Sequence, residues 1–310
     1  MLSIVGTMFH AQSYLEEFVA RAIAAASATG LEFEIVLVND GSPDLSLAMA
    51  KSLADLHPQV RVVDLSRNFG HHRAMMIGLQ HSSGALVFLI DLDLEEPPEL
   101  LADFLSTLAV NPDADVVYGR MKARKGGVWE RFSGWAFYSL LHGLGGIAVP
   151  RNISTVRLMT RRYVDSLGKY GEREVFMAGL WQDTGYKQVP FEFIKGYKGE
   201  TTYHFARKLS LLVNSIVAFS SKPLAMIFTI GTILSLGAGA YTLYLIYVGL
   251  VRGTAPSGWA SLIASIWLLG GLIIFFLGVI GIYLSKIFIE VKQRPYATVR
   301  EIYEGRGNDR

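Results

Sequence analysis

The segment Ala85-Leu-Val-Phe-Leu-Ile-Asp-Leu-Asp-Leu-Glu-Glu-Pro-Pro-Glu99 runs six apolar residues straight into carboxylates at alternate positions. A short, continuous apolar run of this kind reads as a strand buried on both faces, the mark of a parallel sheet covered by helices. In such sheets ligands bind at the carboxyl edge of the strands, which is where the acidic run falls. On extended backbone, residues i, i+2 and i+4 share a side, so Asp91, Asp93 and Glu95 are expected to converge on one hard cation. All-oxygen ligands suit Mg2+ or Mn2+, with diphosphate oxygens completing the shell. The competing reading is a solvated acidic turn capping a helix that begins at Pro97.

Upstream the pattern repeats. Strands at 2–5, 33–39, 60–64 and 85–91 alternate with helices at 14–28, 44–56 and 72–81, an α/β doubly wound layout. No G-x-G-x-x-G follows the first strand, which weakens a dinucleotide-binding reading. The second strand ends in Val-Asn-Asp-Gly-Ser (38–42), where Asp40 is placed to accept from a nucleotide base or ribose. The adjacent His71 and His72 do not by themselves converge on one ion and are read as the start of a helix.

Composition adds a second part to the chain. Apolar residues make up 51% of the 310 residues and charged residues 18%, with a mean hydropathy of +0.33, too apolar for an ordinary soluble enzyme of this size. The excess lies in residues 223–285, where Arg252 is the one charged residue. Two uncharged runs, 224–251 and 259–285, each exceed the roughly 20 residues a membrane helix needs. Arg207, Lys208 and Lys222 precede this hairpin, and Lys286, Lys292, Arg294, Arg300, Arg306 and Arg310 follow it. The positive-inside rule therefore predicts a multi-pass protein of the cytoplasmic membrane, its body and both termini in the cytoplasm. No signal peptide is expected ahead of the strand at 2–5. Residues 133–147 and 203–221 read as helices lying in the headgroup plane, against the alternative of ordinary core-packing helices. The predicted organisation is a catalytic body at 1–203, an amphipathic helix at 204–222, the hairpin at 223–285 and a tail at 286–310. A net charge of +2 provides no basic field for nucleic acid, and zero cysteines exclude disulfides and thiolate metal sites.

Several motifs together resemble the family 2 glycosyltransferases, and more narrowly the polyprenyl-phosphate glycosyltransferases that include dolichol-phosphate mannose synthases and bactoprenol glucosyltransferases. They are Val-Asn-Asp-Gly-Ser (38–42), Leu-Ser-Arg-Asn-Phe-Gly-His-His-Arg-Ala (65–74), the acidic run at 91–99, Tyr-Gly-Arg-Met-Lys-Ala-Arg (118–124), Gly-Glu-Thr-Thr-Tyr (199–203) and the two C-terminal spans. The resemblance implies a GT-A fold, a Rossmann-like nucleotide-sugar domain, with interfacial helices and the hairpin. It implies a nucleotide-diphosphate sugar as donor and a polyprenyl phosphate, undecaprenyl phosphate in a bacterium, as acceptor in the lipid bilayer. Homo-oligomerisation stays open. By position, Asp91 and Asp93 hold the metal on the diphosphate, with Glu95 beside them. Asp40 contacts the nucleotide, Thr7, Phe9, Asn68 and Gly70 line its pocket, and Arg73 assists at the donor phosphates. Arg124 and Arg131 match basic residues that approach the lipid phosphate and would offset the repulsion between two anionic substrates. A solvated, headgroup-binding loop is the competing reading for these two.

Three departures from the family pattern bear on mechanism. Phe9-His10-Ala11 stands where relatives carry Tyr-Asn-Glu. In Ser154-Thr155-Val156-Arg157-Leu158, Thr155 occupies an acidic position, so no catalytic base carries over. Thr201-Thr202-Tyr203 replaces Ser-Lys-Tyr. A lipid phosphate is already largely ionised at neutral pH, its second pKa being about 6, and needs no strong base. Direct in-line attack then implies inversion at the anomeric carbon. The rival readings are a family member with another membrane acceptor, whose hydroxyl would need a base, and a non-catalytic membrane partner that binds nucleotide sugars.

Overall fold

The computed structural model describes residues 1–122, 143, 150, 152–173, 175–194, 216–217, 220–252 and 258–305. These divide between two compact units. The first holds residues 1–122, 152–173, 175–194 and 294–305 and is built on one eight-stranded sheet.

Its first half follows the alternation seen in the sequence. Strand β1 is Leu2–Met8, helix α1 Leu15–Ser27, β2 Phe33–Asn39, α2 Ser46–Leu56, β3 Val60–Leu65, α3 His71–His81, β4 Leu86–Leu89 and α4 Leu100–Ala109. The four strands pair in parallel, in the spatial order β4-β1-β2-β3. Strands β1 and β2 are buried almost throughout, which explains their uninterrupted apolar sequence. Alternate residues divide between the two faces. Leu2, Ile4, Met8, Ile35 and Leu37 join the core formed with α1, α2 and α4, which includes Leu15, Phe18, Leu101 and Phe104. Val5 and Val38 point the other way. There α3 packs so closely that a Cβ on Gly78 would lie 2.5 Å from Val5 Cγ1 and 2.9 Å from Val38 Cγ2.

The second half is not doubly wound. Strand β5 is Val116–Met121, β6 Ile153–Thr160, α5 Arg161–Leu167, α6 Met177–Asp183 and β7 Gln188–Phe193. Strand β6 inserts between β4 and β5 and runs antiparallel to both, while β7 pairs in parallel with β5. The sheet is therefore mixed, and the parallel layout expected from the sequence holds for the strands it covered, β1–β4. A further strand, β8 (Val299–Glu304), falls in what the sequence analysis set aside as a tail; it closes the far edge by antiparallel pairing with β3. Ion pairs of Lys51 with Glu301 (2.6 Å) and of Arg61 with Glu304 (2.7 Å) accompany the pairing.

Two buried carboxylates brace this unit. Burial raises the pKa of Glu34, but hydrogen bonds from Ser3 and Ser83 and the charge of Arg61 outweigh it and hold the group below the usual carboxylate range. Burial acts likewise on Asp115, where Arg162 and Thr160 reverse it. A carboxylate with a depressed folded pKa contributes stability that is present above its unfolded pKa of about 4 and is lost as pH falls through the folded value. Thermal melts of the full chain are accordingly expected to lose stability on acidification below about pH 4. Asp115→Asn is expected to be less stable at pH 7 and to flatten that acid limb; an unchanged limb would contradict the assignment.

The second unit contains two long helices, α7 (Lys222–Arg252) and α8 (Trp259–Val291). Lys222–Tyr241 within α7 and Ser265–Val291 within α8 are long and apolar enough to span a bilayer, with mean hydropathies of 1.7 and 2.5. None of the window residues is buried inside the protein, unlike the core helices of a soluble fold. The expected interfacial helices at 133–147 and 203–221 fall almost wholly outside the described residues.

Candidate active site

The four parallel strands end on polar residues at one edge of the sheet: Thr7 on β1, Asn39 and Asp40 at the end of β2, Asp64 on β3 and Asp91 just past β4. Strand β1 connects through α1 to β2 on one side, while β4 lies on its other side, so the crevice between β1 and β4 is a topological switch point. Thr7, Phe9 and Asp91 flank it.

Asp40 organises the loops beside that crevice. Its carboxylate is 3% exposed and accepts the backbone N–H groups of Phe69 (2.7 Å) and Gly70 (3.0 Å). Burial nevertheless pushes its pKa above the ordinary aspartate value, the two N–H groups and the nearby His71 and Arg67 offsetting this in part. Asp40 thus joins the loop after β2 to the loop after β3. The two loops also touch at Gly41, whose φ of +65° is one that L side chains rarely adopt. A Cβ there would lie 2.5 Å from the backbone nitrogen of Asn68 and 2.6 Å from the carbonyl carbon of Arg67.

Gly70, at φ +99°, turns the chain into α3. The next residue bridges the crevice: His71 Nδ1 lies 2.9 Å from Thr7 Oγ1, and His71 Nε2 lies 3.3 Å from Asp91 Oδ1. The sequence reading set His71 at the start of a helix near the donor phosphates and assigned it no partner. Its placement depends on a contact across 64 residues, which no local pattern reveals. Arg73 donates to the carbonyls of Arg173 (2.7 Å) and Phe69 (3.4 Å), and His72 Nδ1 lies 3.1 Å from the Val175 carbonyl. The two side chains hold the Arg173 and Val175 carbonyls against the start of α3. Phe9 is half exposed, with its ring edge-on to His10 at 4.6 Å.

The acidic run differs from its expected geometry. Strand β4 stops at Leu89, residues 92–96 form turns and bends, and Leu94 takes φ +60°. Strict alternation applies to extended backbone only, so the i, i+2, i+4 argument fails here. Among the described residues no three His, Cys, Asp or Glu side chains gather as a metal cage. Asp93 Oδ1 accepts the Glu95 N–H at 3.1 Å within its own turn. Helix α4 begins at Leu100 rather than Pro97, and no side chain caps it. Asp91 and Asp93 remain compatible with a hard divalent ion, since Mg2+ commonly takes one or two carboxylates and completes its shell from substrate phosphates and water.

The fold also buries two charged side chains that the sequence did not single out. Glu96 is fully buried and Arg157, on β6, is 1% exposed. Burial pushes the Arg157 pKa down to about 9, against the favourable charges of Tyr163, Glu96 and Tyr118. Its guanidinium sits 3.0 Å over the Trp181 ring. Of the adjacent carboxylates, Glu95 is partly exposed and Glu96 is buried. Arg124 and Arg131 lie outside the described residues.

The chain belongs to glycosyltransferase family 2, whose family model matches residues 3–168. A Mycobacterium tuberculosis protein described as a glycosyltransferase is 49% identical over 97% of this chain and 88% of its own length. The bactoprenol glucosyl transferase of Shigella phage SfII is 28% identical over 98% of this chain and 99% of its own. Among solved structures, glucosyl-3-phosphoglycerate synthase from Mycobacterium tuberculosis, in complex with Mn2+ and UDP-glucose, shares the fold. Its TM-score is 0.50 at 18% identity, over 71% of this chain and 79% of that one. The fold is GT-A-like, and the protein is a glycosyltransferase.

Proposed function

We propose that this enzyme transfers a sugar, with inversion, from a nucleotide-diphosphate sugar to a polyprenyl phosphate at the cytoplasmic face of the membrane, using a divalent ion. The observation that carries the reading is the clustering of Thr7, Asp40, His71 and Asp91 at the β1/β4 switch point in a chain that also carries two membrane-length helices. End-to-end similarity to a bactoprenol glucosyl transferase supports the acceptor class.

In this reading Asp91 and Asp93 hold Mg2+ or Mn2+ against the donor diphosphate, with Glu95 at the rim. Bound there, the ion would supply Lewis-acid stabilisation of the leaving nucleoside diphosphate. Asp40 fixes the loops that carry Asn68 and Gly70, which with Thr7 and Phe9 form the nucleotide pocket. Arg124 and Arg131 steer the lipid phosphate. A phosphate oxygen attacks the anomeric carbon as the bond to the diphosphate oxygen breaks. The acceptor is already anionic, so the lack of an acid at Thr155 costs nothing, whereas a hydroxyl acceptor would require a base.

The fold also bears on orientation. Strand β8 follows the two spans in sequence yet pairs with β3, which precedes them. This pairing supports placing both flanks of the hairpin on one side of the membrane, and the flanking Lys and Arg residues favour the cytoplasmic side.

Purified protein incubated with a panel of labelled nucleotide sugars and a short-chain polyprenyl phosphate is expected to move label from one donor into the organic phase. The transfer should stop with EDTA, return with Mn2+ or Mg2+, and yield the inverted anomer. Transfer undiminished by chelation would contradict the metal role, and no transfer from any donor would contradict the acceptor class.

A further inference from the structure

Arg300, on the strand that follows the membrane hairpin, reaches the roots of both loops that form the donor side of the site. Its guanidinium donates to Asp64 Oδ2 at 3.2 Å and to the Ser66 carbonyl at 2.5 Å. Asp64 is 2% exposed and lies next to last on β3; its other oxygen accepts from Asn39 Nδ2 at 2.7 Å. Asn39 is also 2% exposed and closes β2, and its Oδ1 accepts the Ser42 N–H at 3.1 Å, across the turn that contains Asp40 and Gly41. The Ser66 N–H donates in turn to the Thr298 carbonyl at 2.9 Å, beside Arg300.

We infer that Arg300 is a positioning residue for donor binding, acting through Asp64 and Asn39 on the 40–42 turn and through Ser66 on the 66–70 loop. Asp64 is the pivot. A buried carboxylate needs a cation or full hydrogen bonding, and without Arg300 it keeps the Asn39 amide but loses its counter-charge. The loops it braces are the two that Asp40 and Gly41 lock together, so a shift at their roots reaches the nucleotide pocket before it reaches the acidic turn after β4. The donor site is thereby completed by a residue the chain supplies only after both spans, which ties nucleotide affinity to docking of β8. The inference rests on the donor-site reading above.

The test uses the full-length protein and titrates UDP, GDP and dTDP with Mn2+ by calorimetry, alongside steady-state kinetics. Arg300→Met, which keeps the aliphatic stem, is expected to weaken binding of the preferred nucleotide and raise the donor KM by about tenfold, the scale of one hydrogen-bonded charge. The kcat at saturating donor and the KM for polyprenyl phosphate should stay within about twofold of wild type. Arg300→Lys, which restores a charge but not the two-pronged geometry, should fall between. Glu301→Gln breaks the Lys51 pair on the same strand and should leave donor affinity unchanged. Wild-type affinity in both Arg300 variants would overturn the inference, as would equal losses in kcat and both KM values, or the same loss in Glu301→Gln. If wild type itself binds no nucleoside diphosphate in the presence of Mn2+, the donor-site reading has failed and this inference falls with it.

Discussion

Asp93→Ala is expected to lower kcat/KM by about a thousandfold, or roughly 4 kcal/mol of transition-state stabilisation, while leaving the protein folded. The expectation follows from the leaving group. A nucleoside diphosphate departs with its charge concentrated on the oxygen that held the sugar, and in this site that charge falls where Asp91 and Asp93 would hold the ion. Asp93 makes a local turn bond to Glu95 N–H at 3.1 Å and lies outside the buried core, so its loss should cost little stability. Asp93→Asn keeps an oxygen for the turn but loses the charge, and should be nearly as inactive. Raised Mn2+ should recover part of the activity of Asp93→Asn, because the remaining carboxylate still binds weakly. Kinetics with a melting curve on the same sample checks this. Activity within tenfold of wild type would mean that Asp93 does not bind the ion.

Gly41→Ala should be the next most damaging change, for a steric reason. The added Cβ meets backbone atoms at 2.5 and 2.6 Å, and the φ of +65° adds strain. Backbone cannot swing aside as a flexible side chain can, so the 40–42 turn and the 66–70 loop must separate. Separation breaks the two hydrogen bonds that Asp40 accepts. A loss of about 2–4 kcal/mol in stability and a donor KM raised at least about thirtyfold are expected. Gly30 is the internal control: its φ is +68°, yet a Cβ there meets nothing within 4 Å. Gly30→Ala should cost about 1 kcal/mol in stability and leave the donor KM unchanged. Equal effects on KM from the two variants would show that the loop contact at Gly41 is unimportant to the donor site.

The legible parts of the sequence were those governed by short-range patterns. Alternating apolar strands and amphipathic helices marked β1–β4 and their connecting helices, because a buried parallel strand must be apolar on both faces. The strand β2 was read at its observed limits. Strand β1 was cut short at Val5, since Gly6 and Thr7 interrupt the apolar run although the backbone continues to Met8. The antiparallel insertion of β6 and the return of β8 to β3 depend on pairing between distant segments, and neither leaves a local trace.

The candidate site divides in the same way. Asp40 and Asp91 were visible because strand ends at the carboxyl edge are where ligands bind. Strand alternation does not extend through the three carboxylates, since the strand ends at Leu89 and Leu94 takes φ +60°. His71, Arg157 and Arg300 were invisible as partners because each acts on a residue far away in the chain. The adjacent Glu95 and Glu96 could not be told apart until the fold buried one of them and left the other partly exposed.

The most direct test of the account is to locate Mn2+ by anomalous scattering in crystals of the full chain grown with Mn2+ and a nucleoside diphosphate. The account predicts one dominant peak within about 2.5 Å of carboxylate oxygens of both Asp91 and Asp93 and of diphosphate oxygens, at the β1/β4 crevice. A diphosphate bound with no ion between it and these carboxylates, or an ion held elsewhere, would contradict it.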